Sequence, residues 1–250
     1  MHLPSIKLST AIITTLVALF FTVSPCLPTT RALAQHTSLT STTTDLASLV
    51  DPFTGTGVQP GALLGGGDTF PGADVPFGMV QWSPDTESYT PGGYQYNDNR
   101  IKGFSLTHLS GAGCSVYSDI PFMPYVGGVT DSPASNPMKY ISTFSHANES
   151  AVAGYYKVKL DNGVTTELTA TQRSGAGRFT YPAGQAATLI VNTSGSINGV
   201  GNAQTNIGEN TISGWAASGG FVAPTITTAS ISGRSSVSPS LRLAPGRTLP

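Results

Sequence analysis

From Leu46 onward, apolar and polar positions alternate over short runs, and turn-forming residues separate one run from the next. The clearest example is Tyr155-Tyr156-Lys157-Val158-Lys159-Leu160, followed by Asp161-Asn162-Gly163 and then Val164-Thr165-Thr166-Glu167-Leu168-Thr169-Ala170. Two alternating runs flanking Asn-Gly predict a β-hairpin, because both central positions of such a turn need the left-handed backbone that Asn and Gly tolerate. Val158 and Leu160 should then face a core while Lys157 and Lys159 face water. Phe77 to Trp82, Ile120 to Val126, Arg178 to Tyr181 and Thr188 to Val191 also read as strands, the last apolar on both faces and so expected inside a sheet. No amphipathic helical period emerges. Many short strands with regular turn signals predict an all-β fold, an antiparallel β-sandwich.

Turn residues, aromatics, carboxylates and a histidine are densest between Val50 and Asp119, which points to chemistry carried on loops above the strands. Before that region, Lys7 precedes an apolar run from Ala11 to Val23, and Ala32-Leu33-Ala34 offers a small-residue cleavage site. Residues 1–34 therefore read as a secretory signal peptide; the run is too short for a convincing membrane span. Residues 35–45 read as a flexible Ser/Thr-rich leader, with folding expected from about Leu46. Cys26 would leave with the signal peptide, so Cys114 would have no internal partner. Asn148-Glu149-Ser150 and Asn192-Thr193-Ser194 are glycosylation acceptor sequons, which would place Asn148 and Asn192 on the surface.

The 250 residues carry only 10% charged side chains and a formal net charge of −1. That balance lacks the electrostatic footprint of a nucleic-acid or anionic-membrane partner and favours a neutral, polar ligand.

In order along the chain, DPFTGTG, GDTFPGADVPFGMVQWSPDT, GGYQYNDNRIKGFSLTHLSGAG and SDIPFMP resemble the N-terminal domain of glycoside hydrolase family 92, and the resemblance continues through GYYKVKLDNGVTTELTATQRSGAGRFTYP. It covers residues 46–221. The resemblance implies a secreted, calcium-dependent, inverting exo-α-mannosidase acting on mannose-containing glycans, often α-1,2-linked. It also implies that the β-domain precedes an (α/α)6 barrel, which supplies most of the general acid, general base and calcium ligands. No position of this chain matches those groups, so no catalytic residue is assigned and the chain alone is expected to be inactive. A free-standing carbohydrate-binding module and a non-functional truncated product are the alternative readings.

The candidate substrate-binding residues are Asp68, Thr69 and Phe70 in the GDTFPG turn, together with Asp85, His108, Ser110 and Asp119. An imidazole at His108 can donate to or accept from a sugar hydroxyl, or can equally be satisfied inside the domain. The GDTFPG turn can face a second domain or simply pack, and each Asp can serve as a loop hydrogen-bond acceptor. Trp82 reads as core, and Asn97-Asp98-Asn99 as a solvated turn rather than a calcium loop. Leu106 and Gly177 stand where the family pattern has histidines.

From Val222 to Pro250 the chain has no aromatic residue and no Asp, Glu, Lys, Asn or Gln. This stretch is expected to be a disordered tail outside the family. Back-translation from Phe221 opens an alternative frame permitting a Cys-Gly pair and an aromatic-rich strand, so a frameshift or missed intron boundary at Phe221 is the expectation.

Overall fold

The computed structural model describes residues 45–58, 66–133, 136–219 and 224–232. The proposed signal peptide and nearly all of the leader lie outside the described residues. The first described element is a one-turn 3-10 helix, Leu46–Leu49, whose start is capped by Asp45: its carboxylate accepts from the Ala47 N–H at 3.2 Å.

Eleven strands follow: β1 (Ser83–Thr86), β2 (Arg100–Ser105), β3 (Phe122–Val126), β4 (Ser142–Val152), β5 (Tyr155–Leu160), β6 (Thr165–Ala170), β7 (Gly175–Thr180), β8 (Ala187–Val191), β9 (Val200–Ile207), β10 (Thr211–Gly219) and β11 (Pro224–Ser232). All the pairings are antiparallel, as the alternation predicts. An eight-stranded sheet runs β7-β6-β5-β4-β2-β3-β8, with β1 also on β2, and a three-stranded sheet runs β11-β10-β9. β2 is the hub. Ile101 is registered against both Thr86 of β1 and Ser142 of β4, and Phe104 against both Pro84 of β1 and Phe122 of β3. Since a strand has two edges, β1 takes one and β4 and β3 share the other.

The expected hairpin is present as β5 and β6, although of the Asn-Gly pair only Gly163 takes the left-handed backbone. Gly163 has φ +89°, and the Asn162 side chain accepts from the Val164 N–H at 3.0 Å. Val158 and Leu160 are buried while Lys157 and Lys159 are exposed. They join Ile101, Phe104, Phe122, Phe144, Tyr156 and Leu168 in one core. Trp82 is also in this core and donates its indole N–H to the Phe104 carbonyl at 3.1 Å. Gly177 fits because of that ring: a Cβ there would lie 2.6 Å from Trp82 Cη2.

Three expectations need correction. Phe77 to Trp82 is not a strand: Phe77 has φ +60° and is 100% exposed, and the extended pairing contracts to a bridge between Ala73 and Trp82 that leads into β1. β8 is not internal. Among the described residues it pairs with β3 alone and ends the sheet; Ile190 and Val191 pack on the core, but Leu189 is exposed. The chain beyond Val222 does not leave the fold at once, because Pro224–Ser232 pairs with β10 along its whole length. Ser, Thr and Ile in alternation suit a strand even without aromatics.

Candidate functional site

Three turns converge beside β1 and β2: residues 66–70, 89–93 and 107–113. Asp68 sits where they meet. Its backbone is left-handed at φ +51°, its carbonyl accepts from the Gly111 N–H at 2.8 Å, and its carboxylate lies 3.5 Å from Thr90 Oγ1. Gly92 and Gly113 permit the approach: a Cβ at Gly92 would fall 2.8 Å from the Asp68 carbonyl, and one at Gly113 would fall 3.2 Å from Asp68 Oδ2. Thr69 turns inward, donating to the Thr54 carbonyl at 2.7 Å. Ser110 is exposed at the tip of the third turn. Phe70 is buried in the core, its ring 5.0 Å from that of His108, so it supports the turn rather than presenting an aromatic face to a ligand.

His108 lies behind these turns and its side chain has no exposed surface. The imidazole Nδ1 is 2.8 Å from the Gln81 carbonyl and Nε2 is 3.2 Å from Asp85 Oδ1. Both neighbours are acceptors, so both ring nitrogens are donors only in the imidazolium form. Ser105 Oγ donates to the other oxygen of Asp85 in a short hydrogen bond. Burial pushes the Asp85 carboxyl upward, but the His108 charge, the hydrogen bonds from His108 and Ser105, and Lys102 together hold it below the usual carboxylate range. The result is a buried, hydrogen-bonded pair in which His108 positions Asp85 and does not itself reach a ligand.

Asp85 and Ser105 form part of the floor of a cleft of about 310 Å³, walled by Met123, Tyr140 and Ile190. Ser118 adds a further hydroxyl. Asp119, although next in sequence, is fully buried: Thr107 Oγ1 lies 3.2 Å from both its carboxylate Oδ2 and its backbone N. The seven sequence-proposed residues thus separate into two groups. Asp68, Thr69 and Ser110 belong to the outer turns, whereas Phe70, His108, Asp85 and Asp119 are buried, and of these Asp85 alone lines the cleft. Sequence reasoning missed Ser105, Ser118 and Gly93. Gly-Gly-Tyr was the available signal for the last, since Gly93 has φ +80° and a Cβ there would lie 2.7 Å from Asp85 Oδ1 and 2.9 Å from Ser118 Oγ.

A second buried centre lies on β4. The side chain of Glu149 is 1% exposed and its carboxylate accepts from Tyr94 at 2.9 Å, Tyr156 at 2.6 Å and His146 Nδ1 at 2.7 Å. Burial, followed by the Glu149 charge, pushes both phenols well above their ordinary range. Asp98 is likewise occupied, accepting from the Ser88 N–H at 2.7 Å and from Ser88 Oγ at 2.6 Å, which makes its loop a structural turn. Among the described residues no three His, Cys, Asp or Glu side chains converge as a metal cage.

Residues 49–236 match the family described as the glycosyl hydrolase family 92 N-terminal domain. The match runs past Val222 and includes β11. Among solved structures, a family GH92 α-mannosidase from Bacteroides thetaiotaomicron is 36% identical with a TM-score of 0.65, covering 73% of this chain and 25% of that protein. A family GH92 inverting mannosidase from the same organism is 27% identical with a TM-score of 0.56, covering 69% of this chain and 22% of its own. A protein of Arthroderma benhamiae described as an uncharacterized secreted glycosidase is 30% identical over 142 residues, which are 55% of this chain and 18% of that protein. The chain thus spans about a quarter or less of the relatives it matches.

Proposed function

Because this chain belongs to glycoside hydrolase family 92 through its N-terminal domain, we propose that it serves a secreted, inverting exo-α-mannosidase as one wall of the site that holds mannose-containing glycans. The carrying observation is the convergence of three turns on Asp68, with Ser110 exposed beside it. A rigid sheet presents polar groups on loops there, the arrangement by which scaffolds hold ligands. The names of the solved relatives, an α-mannosidase and an inverting mannosidase, support the choice of sugar and stereochemistry.

Inverting hydrolysis needs a protonated carboxyl beside the leaving oxygen and a carboxylate activating water on the opposite face, about 6.5–9.5 Å apart. The buried carboxylates of this domain are committed to internal hydrogen bonds. On this reading the acid, the base and any calcium ligands come from a further region of the enzyme, and this domain binds and orients. Secretion is supported by the signal-peptide pattern and by the name of the Arthroderma relative. Asn148 is exposed on β4 and available to a glycan, whereas Asn192 is half-buried and engaged with the Ser194 N–H at 3.2 Å.

The test is to incubate the secreted chain with α-1,2-mannobiose and calcium and measure free mannose. No release above the blank is expected. Release abolished by chelation would show that the domain holds a complete catalytic centre and would overturn the reading.

A further inference from the structure

The sequence has two Asn-Gly steps, Asn162-Gly163 and Asn198-Gly199. In such a pair the glycine nitrogen can attack the asparagine side-chain amide, because no Cβ on the glycine hinders the approach. The two steps are held very differently. Asn162 and Gly163 are half-buried in the β5–β6 turn, where Asn162 Nδ2 donates to the Pro124 carbonyl at 3.3 Å and Oδ1 accepts from the Val164 N–H at 3.0 Å. The Gly163 N–H donates to the Leu160 carbonyl at 2.9 Å, and a Cβ there would lie 2.7 Å from Pro182 Cγ. Both reacting groups are therefore pinned. Asn198 and Gly199 are exposed, a Cβ at Gly199 would meet nothing within 4 Å, and the Gly199 N–H reaches the Ser196 carbonyl only at 3.3 Å. The Asn198 side chain is tied at Nδ2, which donates to the Ser115 carbonyl.

We propose that Asn198 is a deamidation site whose conversion loosens the 114–118 loop. The Gly199 nitrogen loses its proton and bonds to Asn198 Cγ; the Cγ–Nδ2 bond breaks, and ammonia leaves with a proton in place of the one lost. Water then opens the cyclic imide at either carbonyl, giving aspartate or isoaspartate, and is the sole co-reactant. The product inverts the contact: a carboxylate that cannot donate now faces the Ser115 carbonyl oxygen. That tie matters because Tyr117 and Ser118 hold a costly left-handed backbone, at φ +72° and +52°. The same segment supplies the other restraints, since Ser196 Oγ and the Ile197 N–H both donate to the Tyr117 carbonyl at 3.0 Å. Deamidation turns one of these three attachments into a repulsion. The loop ends at the cleft that Ser118 borders, so the change reaches that cleft without touching Asp85.

The experiment incubates the secreted chain in warm, mildly alkaline buffer and follows both steps by peptide mapping with fragmentation. Acid forms at Asn198 should accumulate about three- to tenfold faster than at Asn162, the effect of one hydrogen bond on local opening. Asn198→Gln, which would need a larger ring, should abolish conversion at that step. Asn198→Asp makes one product directly and should speed amide hydrogen exchange across residues 114–118 by about three- to tenfold. The converted fraction of the wild type, separated by its added negative charge, should show the same acceleration, so the outcome does not depend on how the variant folds. Conversion at Asn162 as fast as at Asn198 would overturn the assignment of the site. Unchanged exchange at 114–118 in both Asn198→Asp and the converted wild type would overturn the coupling to the loop.

Discussion

Replacing Asp85 by Asn tests the centre on which β1, β2 and the 107–113 turn depend. Asp85 is buried, and its carboxylate faces two donors, His108 Nε2 at 3.2 Å and Ser105 Oγ. Asn keeps the shape but removes the negative charge, so the charge-assisted hydrogen bonds that Asp85 accepts from His108 Nε2 and Ser105 Oγ are lost. Breaking a buried pair by removing one partner costs about 3–5 kcal/mol, a large share of the roughly 5–15 kcal/mol that holds a domain together. The sign with pH follows from Asp85 having a folded pKa below its ordinary value of 3.8. Its contribution is complete above that ordinary value and is lost as pH falls through the lower folded value. Urea unfolding of wild type and Asp85→Asn, followed by tryptophan fluorescence, should therefore show a gap of about 3–5 kcal/mol at pH 7, narrowing below about pH 4. A gap under about 1 kcal/mol at pH 7, the range of an exposed ion pair, would refute the buried pair. So would a gap that widened in acid.

Gly72→Ala should destabilise the domain by about 1–3 kcal/mol in the same urea assay, because the added Cβ would fall inside the van der Waals shells of Ser83 Cα and Cβ and the Trp82 carbonyl, all of which belong to or abut the β1 backbone. Tyr156→Phe should cost about 1–3 kcal/mol by removing one donor to the buried Glu149 carboxylate, and a change within about 0.5 kcal/mol would show that Tyr94 and His146 suffice. Arg178→Ala should raise the Glu167 pKa from about 2 toward its ordinary 4.5, read by NMR titration, because hydrogen bonds from Arg178 and then Tyr155 are what depress it. The rise should stop short of 4.5, since Tyr155 still donates at 2.8 Å.

What could be read from the sequence was what neighbouring residues decide between themselves. The β5–β6 hairpin is of this kind: Asn162-Gly163 fixes the turn, and alternation fixes which side chains enter the core. β8 is not, because Ala187–Val191 has the same apolar content whether one strand or two flank it, and it is the order β2-β3-β8 that makes it the last strand of the sheet among the described residues. Phe77 defeated the pattern through backbone conformation, since an apolar residue at φ +60° points away from the sheet that its hydrophobicity suggests. The Glu149 centre was hidden by register. An acidic residue between Asn148 and Ser150 reads as surface, yet the irregularity in β4 between Phe144 and Glu149 turns that carboxylate inward to meet Tyr94 and Tyr156. His108 was recognisable as a special residue, but its two acceptors come from Gln81 and Asp85, 27 and 23 positions earlier in the chain.

The separation of outer turns from inner cleft explains why two glycines are adjacent at 92 and 93. Each faces a different neighbour: Gly92 closes on the Asp68 backbone, and Gly93 on Asp85, His108 and Ser118, where a Cβ would lie within 2.9 Å of all three. A side chain at the first would push the Asp68 turn outward without touching the cleft floor. At the second it would displace the carboxylate, and φ +80° would add backbone strain to the clash. The 89–93 turn is tied to β1 by the Thr86 N–H, which donates to the Gly93 carbonyl at 2.9 Å, and closes on itself through the Gly93 N–H and the Thr90 carbonyl at 2.9 Å. A loop held this firmly transmits position rather than absorbing it, so a glycan lying along Asp68 would meet a surface already set by the sheet. That is the preorganisation a binding wall requires, because ordering a loose loop at the moment of binding would cost affinity.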